Sequence, residues 1–108
     1  MRRILPVLGL VAGIALAGWG LVPPDGAAYD PADEWQGLPE GEGREEVFYN
    51  CVACHSMAIV MQQRLSEGYW RYTLERMVDD MGMPALPDDE YDLVLDYLVA
   101  YFGTDVPR

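Results

Sequence analysis

The sequence predicts an all-α domain with about three main helices. Two stretches carry apolar residues at the 3.6-residue spacing of an amphipathic helix, and a shorter helical stretch precedes them. No stretch shows the alternation of apolar and polar residues that is typical of a half-buried strand, and there is no internal repeat. The 108 residues leave room for one domain.

The N-terminal residues 1–22 are predicted to be a leader rather than part of the domain. Residues 1–3 are Met-Arg-Arg, and residues 4–22 contain no charge. This pattern is typical of a secretory signal peptide, with Ala-Leu-Ala at 15–17 as a cleavage site. The alternative is an uncleaved N-terminal anchor, because 19 apolar residues could span a bilayer with tilt. In both cases we expect the domain in the periplasm, with a membrane contact only if the leader is uncleaved.

Residues 23–40 are rich in Pro, Gly, Ala and Asp and show little periodicity. We interpret them as a tether or an N-terminal wrap, followed by one domain over residues 41–108. The first helix of that domain is predicted from about Gly43 to Cys54. A short additional helix between residues 57 and 65 is left open.

The two amphipathic helices have clear start and stop signals. The first of them is predicted from Ser66, a typical N-cap residue, to Met81 and Gly82. The other is predicted to begin with Asp88 as its N-cap and to end at Gly103. The helix that begins at Ser66 has an apolar stripe with the spacing i, i+4, i+7, i+8 and i+11. Its members are Trp70, Leu74, Met77, Val78 and Met81.

Both cysteines and the only histidine lie within residues 51–55, Cys-Val-Ala-Cys-His. C-x-x-C-H is the attachment sequence of a c-type haem, in which each thiol adds to a vinyl group and the imidazole ligates the iron. A redox disulfide would need a thioredoxin-like βαβ context, and zinc would need a fourth ligand that only a carboxylate could supply. The sequence therefore predicts one covalently bound haem c, attached through Cys51 and Cys54, with His55 as an iron ligand.

A methionine is predicted to ligate the iron from the opposite side. Met83 precedes Pro84, which favours an extended backbone for the residue before it, and a short rigid loop can hold a thioether at a fixed distance. Met81 is the alternative ligand, although a methionine on a helical stripe more often fills the core. Further candidates are Met57, Met61 and Met77.

The charge balance restricts the partners. The chain has a net charge of −11 with no lysine, and loss of the leader would leave five arginines against seventeen or eighteen acids. Nucleic acid and anionic lipid headgroups are therefore poor partners, whereas a protein with a basic docking surface is complementary. With histidine and methionine bound, the iron has no open position, so we expect single-electron transfer and no catalytic residues.

Over residues 43–102 the chain resembles the class I cytochromes c. The likeness consists of Gly43 with Val-Phe four residues further on, the C-x-x-C-H motif, the Gly-Met-Pro loop and the Leu-Val-Ala-Tyr end of the last helix. The resemblance implies the class I cytochrome c fold, with helices around one haem. It also implies that the last helix crosses the first closely at Gly43, beside Tyr97 or Tyr101.

The chain departs from that family between the two ligands, where only residues 56–82 intervene and the usual Gly-Pro element beside the histidine is missing. A short segment should leave one haem edge uncovered, which suits docking. The Asn-Cys-x-x-Cys-His-Ser, Met-Gly-Met-Pro-x-Leu and Asp-Tyr-Leu stretches are similar to the small haem subunits of periplasmic sulfite dehydrogenases. This narrower resemblance implies a haem subunit that accepts electrons from a molybdenum or flavin dehydrogenase subunit.

Two alternatives to that role stay open. The first is a free electron carrier that delivers electrons to a terminal oxidase. The second is a peroxidase or gas-binding cytochrome, in which the distal face of the iron is open to a substrate.

Overall fold

The computed structural model describes residues 27–108, and the leader at 1–22 and residues 23–26 lie outside this part. The all-α prediction is confirmed for the described residues, which contain no strand and only one isolated bridge, between Leu65 and Gly103. None of the helices over residues 27–108 is long and apolar enough to cross a membrane. This part of the chain forms four helices, α1 (Arg44–Val52), α2 (Met57–Met61), α3 (Glu67–Met81) and α4 (Asp88–Phe102).

The predicted ends of α3 are confirmed. The hydroxyl of Ser66 accepts a hydrogen bond from the backbone N–H of Tyr69 at 3.3 Å, as an N-cap residue does. Gly82 ends the helix in the left-handed conformation, with φ of 79°, and its N–H donates to the carbonyl of Met77. Residue chemistry at the two ends was therefore sufficient to predict this helix.

The ends of the other helices differ slightly from the prediction. Helix α1 ends at Val52 rather than Cys54, because the N–H groups of Cys54 and His55 both donate to the carbonyl of Cys51 and tighten the chain into a turn. Asp88 is already the first helical residue of α4, and Pro87 occupies the N-cap position. The question left open between α1 and α3 is answered by the five-residue helix α2.

Residues 27–40, called the wrap below, contact the helices through Leu38, which is buried in the core, and through two hydrogen bonds. The hydroxyl of Tyr97 donates to the carbonyl of Pro39, and that of Tyr101 donates to the carbonyl of Glu40 at 3.0 Å. Burial raises the pKa of Tyr97 above its ordinary value. Both hydrogen bonds attach the wrap to α4.

The core lies where α1, α3 and α4 meet. The indole N–H of Trp70 on α3 donates to the carbonyl of Phe102 at the end of α4, at 3.0 Å, so the largest buried side chain has its polar atom paired. The buried residues of the three helices are Val47, Cys51, Trp70, Leu74, Val94, Leu95, Tyr97, Leu98 and Phe102.

Helix α4 crosses the start of α1 at Gly43. This residue has φ of 92°, and a Cβ built on it would lie 2.7 Å from the carbonyl oxygen of Leu93 and 3.1 Å from the Cβ of Tyr97. A side chain there would therefore meet both an unfavourable backbone conformation and the backbone of α4. The close approach of α4 to the start of α1 therefore lies at Gly43, beside Tyr97.

We expect Gly43→Ala to destabilise the protein by about 1–3 kcal/mol because of its backbone conformation, and the clash against α4 should add to this loss. Gly82→Ala provides a matched control, because Gly82 also has a positive φ but nothing within 4 Å of a built Cβ. Gly68 lies within α3, also with nothing within 4 Å of a built Cβ. Since glycine is less favourable than alanine inside a helix, Gly68→Ala should stabilise the protein by about 0.5–1 kcal/mol. Urea unfolding midpoints measure all three; equal losses for Gly43→Ala and Gly82→Ala would show that the close crossing contributes nothing.

Candidate functional site

The predicted site residues line one pocket. It has a volume of about 320 Å³ and lies between the end of α1 and the chain from the end of α3 to the loop that follows. Two other candidates from the sequence, Met57 and Met61, are buried in the core and do not line it. The lining residues are Asn50, Cys51, Cys54, His55, Met77, Met81 and Met83.

The two cysteines lie in different surroundings within this pocket. Cys51, on the last turn of α1, is buried, whereas Cys54, in the turn that follows, is exposed; both thiols are free. Burial, with a smaller effect of neighbouring Cys54, raises the pKa of the Cys51 thiol to about 11. One sulfur therefore faces the core side of the pocket and the other lies at its opening.

The hydrogen bond of His55 determines which ring nitrogen is free. Its Nδ1 lies 3.1 Å from the carbonyl oxygen of Ser56, and since a carbonyl only accepts, Nδ1 carries the hydrogen in this contact. The lone pair is then on Nε2, the nitrogen available to a metal. A histidine that binds a metal is usually held through its other ring nitrogen in this way.

The two competing methionines differ in burial. Met83 is 9 % exposed, whereas Met81 is 72 % exposed at the C-terminal end of α3. The left-handed Gly82 between them turns the chain, and the N–H of Met83 donates to the carbonyl of Met77 at 2.9 Å. The loop thus folds back on α3 and holds Met83 inside, which favours Met83 over Met81 as the thioether of the site.

Sequence reasoning did not single out Asn50 as a site residue. Its side-chain amide donates to the carbonyl of Glu46, one turn earlier, and to the carboxylate of Glu90, both at 2.8 Å. The second bond joins α1 to the first turn of α4 at the edge of the pocket. The only signal in the sequence is its position directly before Cys51.

The residues of this pocket fit a c-type haem. Two free thiols, an imidazole with its Nε2 lone pair available and a buried thioether are the donor set that covalent attachment and six-coordinate iron require. Except for Asn50 and His55, the lining side chains offer only carbon and sulfur atoms. Within residues 27–108, no group of three or more His, Cys, Asp or Glu side chains is placed to hold a metal ion.

No protein-family model matches this chain, and no curated protein or solved structure matches it significantly.

Proposed function

We propose that this protein is a periplasmic monohaem c-type cytochrome that transfers single electrons. One observation supports this most strongly: Cys51, Cys54, His55 and Met83, which are separated by up to 32 positions in the sequence, line the same pocket. In this proposal the cysteines hold haem c through two thioether bonds. His55 and Met83 ligate the iron.

When bound, the haem supplies an iron that changes between the ferric and ferrous states by gaining or losing one electron. The protein's own groups control that change. Nε2 of His55 and the thioether of Met83 would hold the iron, and thioether ligation would favour its ferrous state. The burial of Met83 and Cys51 excludes water from the inner side of the pocket, while exposed Cys54 and Met81 leave its opening accessible.

The proposal includes the class I cytochrome c fold. The order of the elements along the chain supports this fold. Helix α1 with the C-x-x-C-H motif comes first, followed by α3, the Met83 loop and α4. The close approach of Gly43 to Tyr97 at the crossing of α1 and α4 is a second, independent support.

Electron transfer and chemistry at the iron can be separated by the distal ligand. We expect the oxidised protein to show the methionine-to-iron charge-transfer band and the reduced protein to bind carbon monoxide slowly, because Met83 occupies the sixth position. A protein with no such band and with rapid carbon monoxide binding would instead be a peroxidase or a gas-binding cytochrome. Visible absorption spectra of the two oxidation states decide between these outcomes.

The surface charge supports a basic partner. Seventeen of the eighteen acids belong to the described residues, against five arginines. Each arginine contacts an aromatic ring, a carboxylate or a backbone carbonyl of this chain, and the acids outnumber the arginines by twelve over these residues. These arginines are Arg44, Arg64, Arg71, Arg76 and Arg108.

We further propose that the partner is a molybdenum or flavin dehydrogenase subunit, of the kind found in sulfite dehydrogenases, and that it delivers electrons to the haem. The exposed thioether of Met81 and the exposed Cys54 place an apolar opening on an acidic surface, as expected for an electrostatically guided docking face. Stoichiometric co-purification with a larger molybdenum or flavin protein would support a subunit. Purification of the cytochrome alone, with rapid electron delivery to a terminal oxidase, would support the free carrier.

A further inference from the structure

Gln36, in the N-terminal wrap, has an unusual backbone conformation. It is the only non-glycine residue with a positive φ among residues 27–108, at 54°. Two backbone hydrogen bonds hold it there, since its N–H donates to the carbonyl of Asp33 and its carbonyl accepts from the N–H of Asp30, each at 3.0 Å. Residues kept in sparsely populated conformations often have a positioning role, so the contacts of this side chain are informative.

The side chain of Gln36 reaches the start of α2. Its carbonyl oxygen Oε1 accepts a hydrogen bond from the backbone N–H of Met57 at 2.9 Å. The side chain of Ser56, at the N-cap of α2, makes no capping hydrogen bond. An N-cap side chain would in any case accept from the second or third helical residue, so the N–H of Met57, the first, needs another acceptor. The acceptor comes instead from a residue 21 positions earlier in the chain.

The N–H of Met57 and the carbonyl of Ser56 belong to one peptide group. Gln36 accepts from the N–H side of that group at 2.9 Å, and Nδ1 of His55 donates to its carbonyl side at 3.1 Å. A peptide group that donates becomes a stronger acceptor, because hydrogen bonds in a chain polarise one another. Gln36 is thereby linked to the imidazole of His55 through a single peptide group.

We propose that Gln36 is a positioning residue that tunes His55 through the 56–57 peptide group. The inference rests on the proposed function, with Nε2 of His55 on the iron. A stronger Nδ1–H···O bond orients the ring and makes Nε2 a better electron donor, as partners of ligating histidines generally do. A better donor favours the ferric state, so Gln36 lowers the midpoint potential of the haem.

A purely structural role for Gln36 predicts the opposite sign. If the side chain only anchored the wrap, its removal would loosen residues 27–40 and admit water near the haem. Water stabilises the more highly charged ferric state and would lower the potential, since burial is one of the factors that set haem potentials. The direction of the shift therefore distinguishes the two roles.

The test is spectroelectrochemical titration of haem-loaded variants. Gln36→Gly accepts the positive φ but removes the acceptor, and we expect its midpoint potential to rise. Gln36→Glu keeps an acceptor of greater strength, and its potential should be equal to or below that of the wild type. Gln63→Ala is the matched control, because Gln63 lies just beyond the other end of α2 and its side chain donates to the carbonyl of Ile59; the potential of this variant should not change. An unchanged or lower potential in Gln36→Gly would overturn the inference.

Hydrogen exchange at the Met57 amide provides a second readout that does not depend on the iron. In Gln36→Gly this amide should exchange about tenfold faster, as expected for the loss of one ordinary hydrogen bond, while the amides of α3 keep their protection. Unchanged protection at Met57 would contradict the contact itself. If the wild-type protein holds no covalent haem, the proposed function fails; if it holds a haem ligated by His55 and Met83 whose potential does not respond to Gln36, only this inference fails.

Discussion

Replacing Met83 with alanine should abolish the methionine-to-iron charge-transfer band of the oxidised protein and leave the haem covalently attached. Met83 is the one buried methionine of the pocket, and the thioether bonds to Cys51 and Cys54 do not depend on it. Because thioether ligation raises the potential, we expect the midpoint potential to fall by a substantial part of the roughly 0.8 V range that axial ligands control. The reduced variant should also bind carbon monoxide rapidly.

Met81→Ala is the control for this prediction. Met81 lines the same pocket and lies two positions away, but it is 72 % exposed, so its removal should leave both the band and the potential close to those of the wild type. The same two visible spectra and one redox titration suffice for each variant. Loss of the band in Met81→Ala and its retention in Met83→Ala would show that the exposed methionine is the ligand.

Without haem, the chain should be largely unfolded. The described domain has 82 residues, and a chain of that size forms only a marginal core on its own. A covalently held porphyrin would add a large apolar element that cannot dissociate, in the pocket lined by Cys51 and Met83. Protein made without the haem-attachment machinery should therefore show no cooperative melt by circular dichroism, whereas the haem-loaded protein should melt cooperatively.

Thiol alkylation gives an independent measure of the same expectation. In an unfolded chain Cys51 and Cys54 react with iodoacetamide at similar rates. In a folded chain without haem, exposed Cys54 would react first, because Cys51 is buried and its pKa is raised to about 11, which leaves little thiolate at neutral pH. A cooperative helical melt together with protection of Cys51 alone would show that the fold does not need the haem.

Local chemistry was sufficient to predict parts of this fold. Helix α3 has a capping serine, an apolar stripe and a terminating glycine, and all three signals act within one stretch of chain. The wrap at residues 27–40 could not be predicted in the same way. Its position depends on hydrogen bonds to distant groups, such as Tyr97 on α4 and the Met57 amide, and no spacing within residues 27–40 encodes these partners.

The candidate site could likewise be predicted only in part from the sequence. Cys51, Cys54, His55 and Met83 were predicted as site residues from the C-x-x-C-H motif and the Gly-Met-Pro loop alone. Two properties of the site appear only when α1 and the loop after α3 are brought together: the pocket that collects these residues and the contrast in burial between Met83 and Met81. Asn50 was missed because its role comes from a hydrogen bond to a residue 40 positions away.

The covalent attachment of one haem through Cys51 and Cys54 can be tested directly by intact-mass spectrometry of the denatured protein, purified from a host with the attachment machinery. We expect the polypeptide mass plus the mass of one haem, and the start of the mature chain follows from the same spectrum. Alkylation before the measurement should add no further mass, since neither thiol is free. A polypeptide without added haem, in which both cysteines become alkylated, would contradict the proposed function.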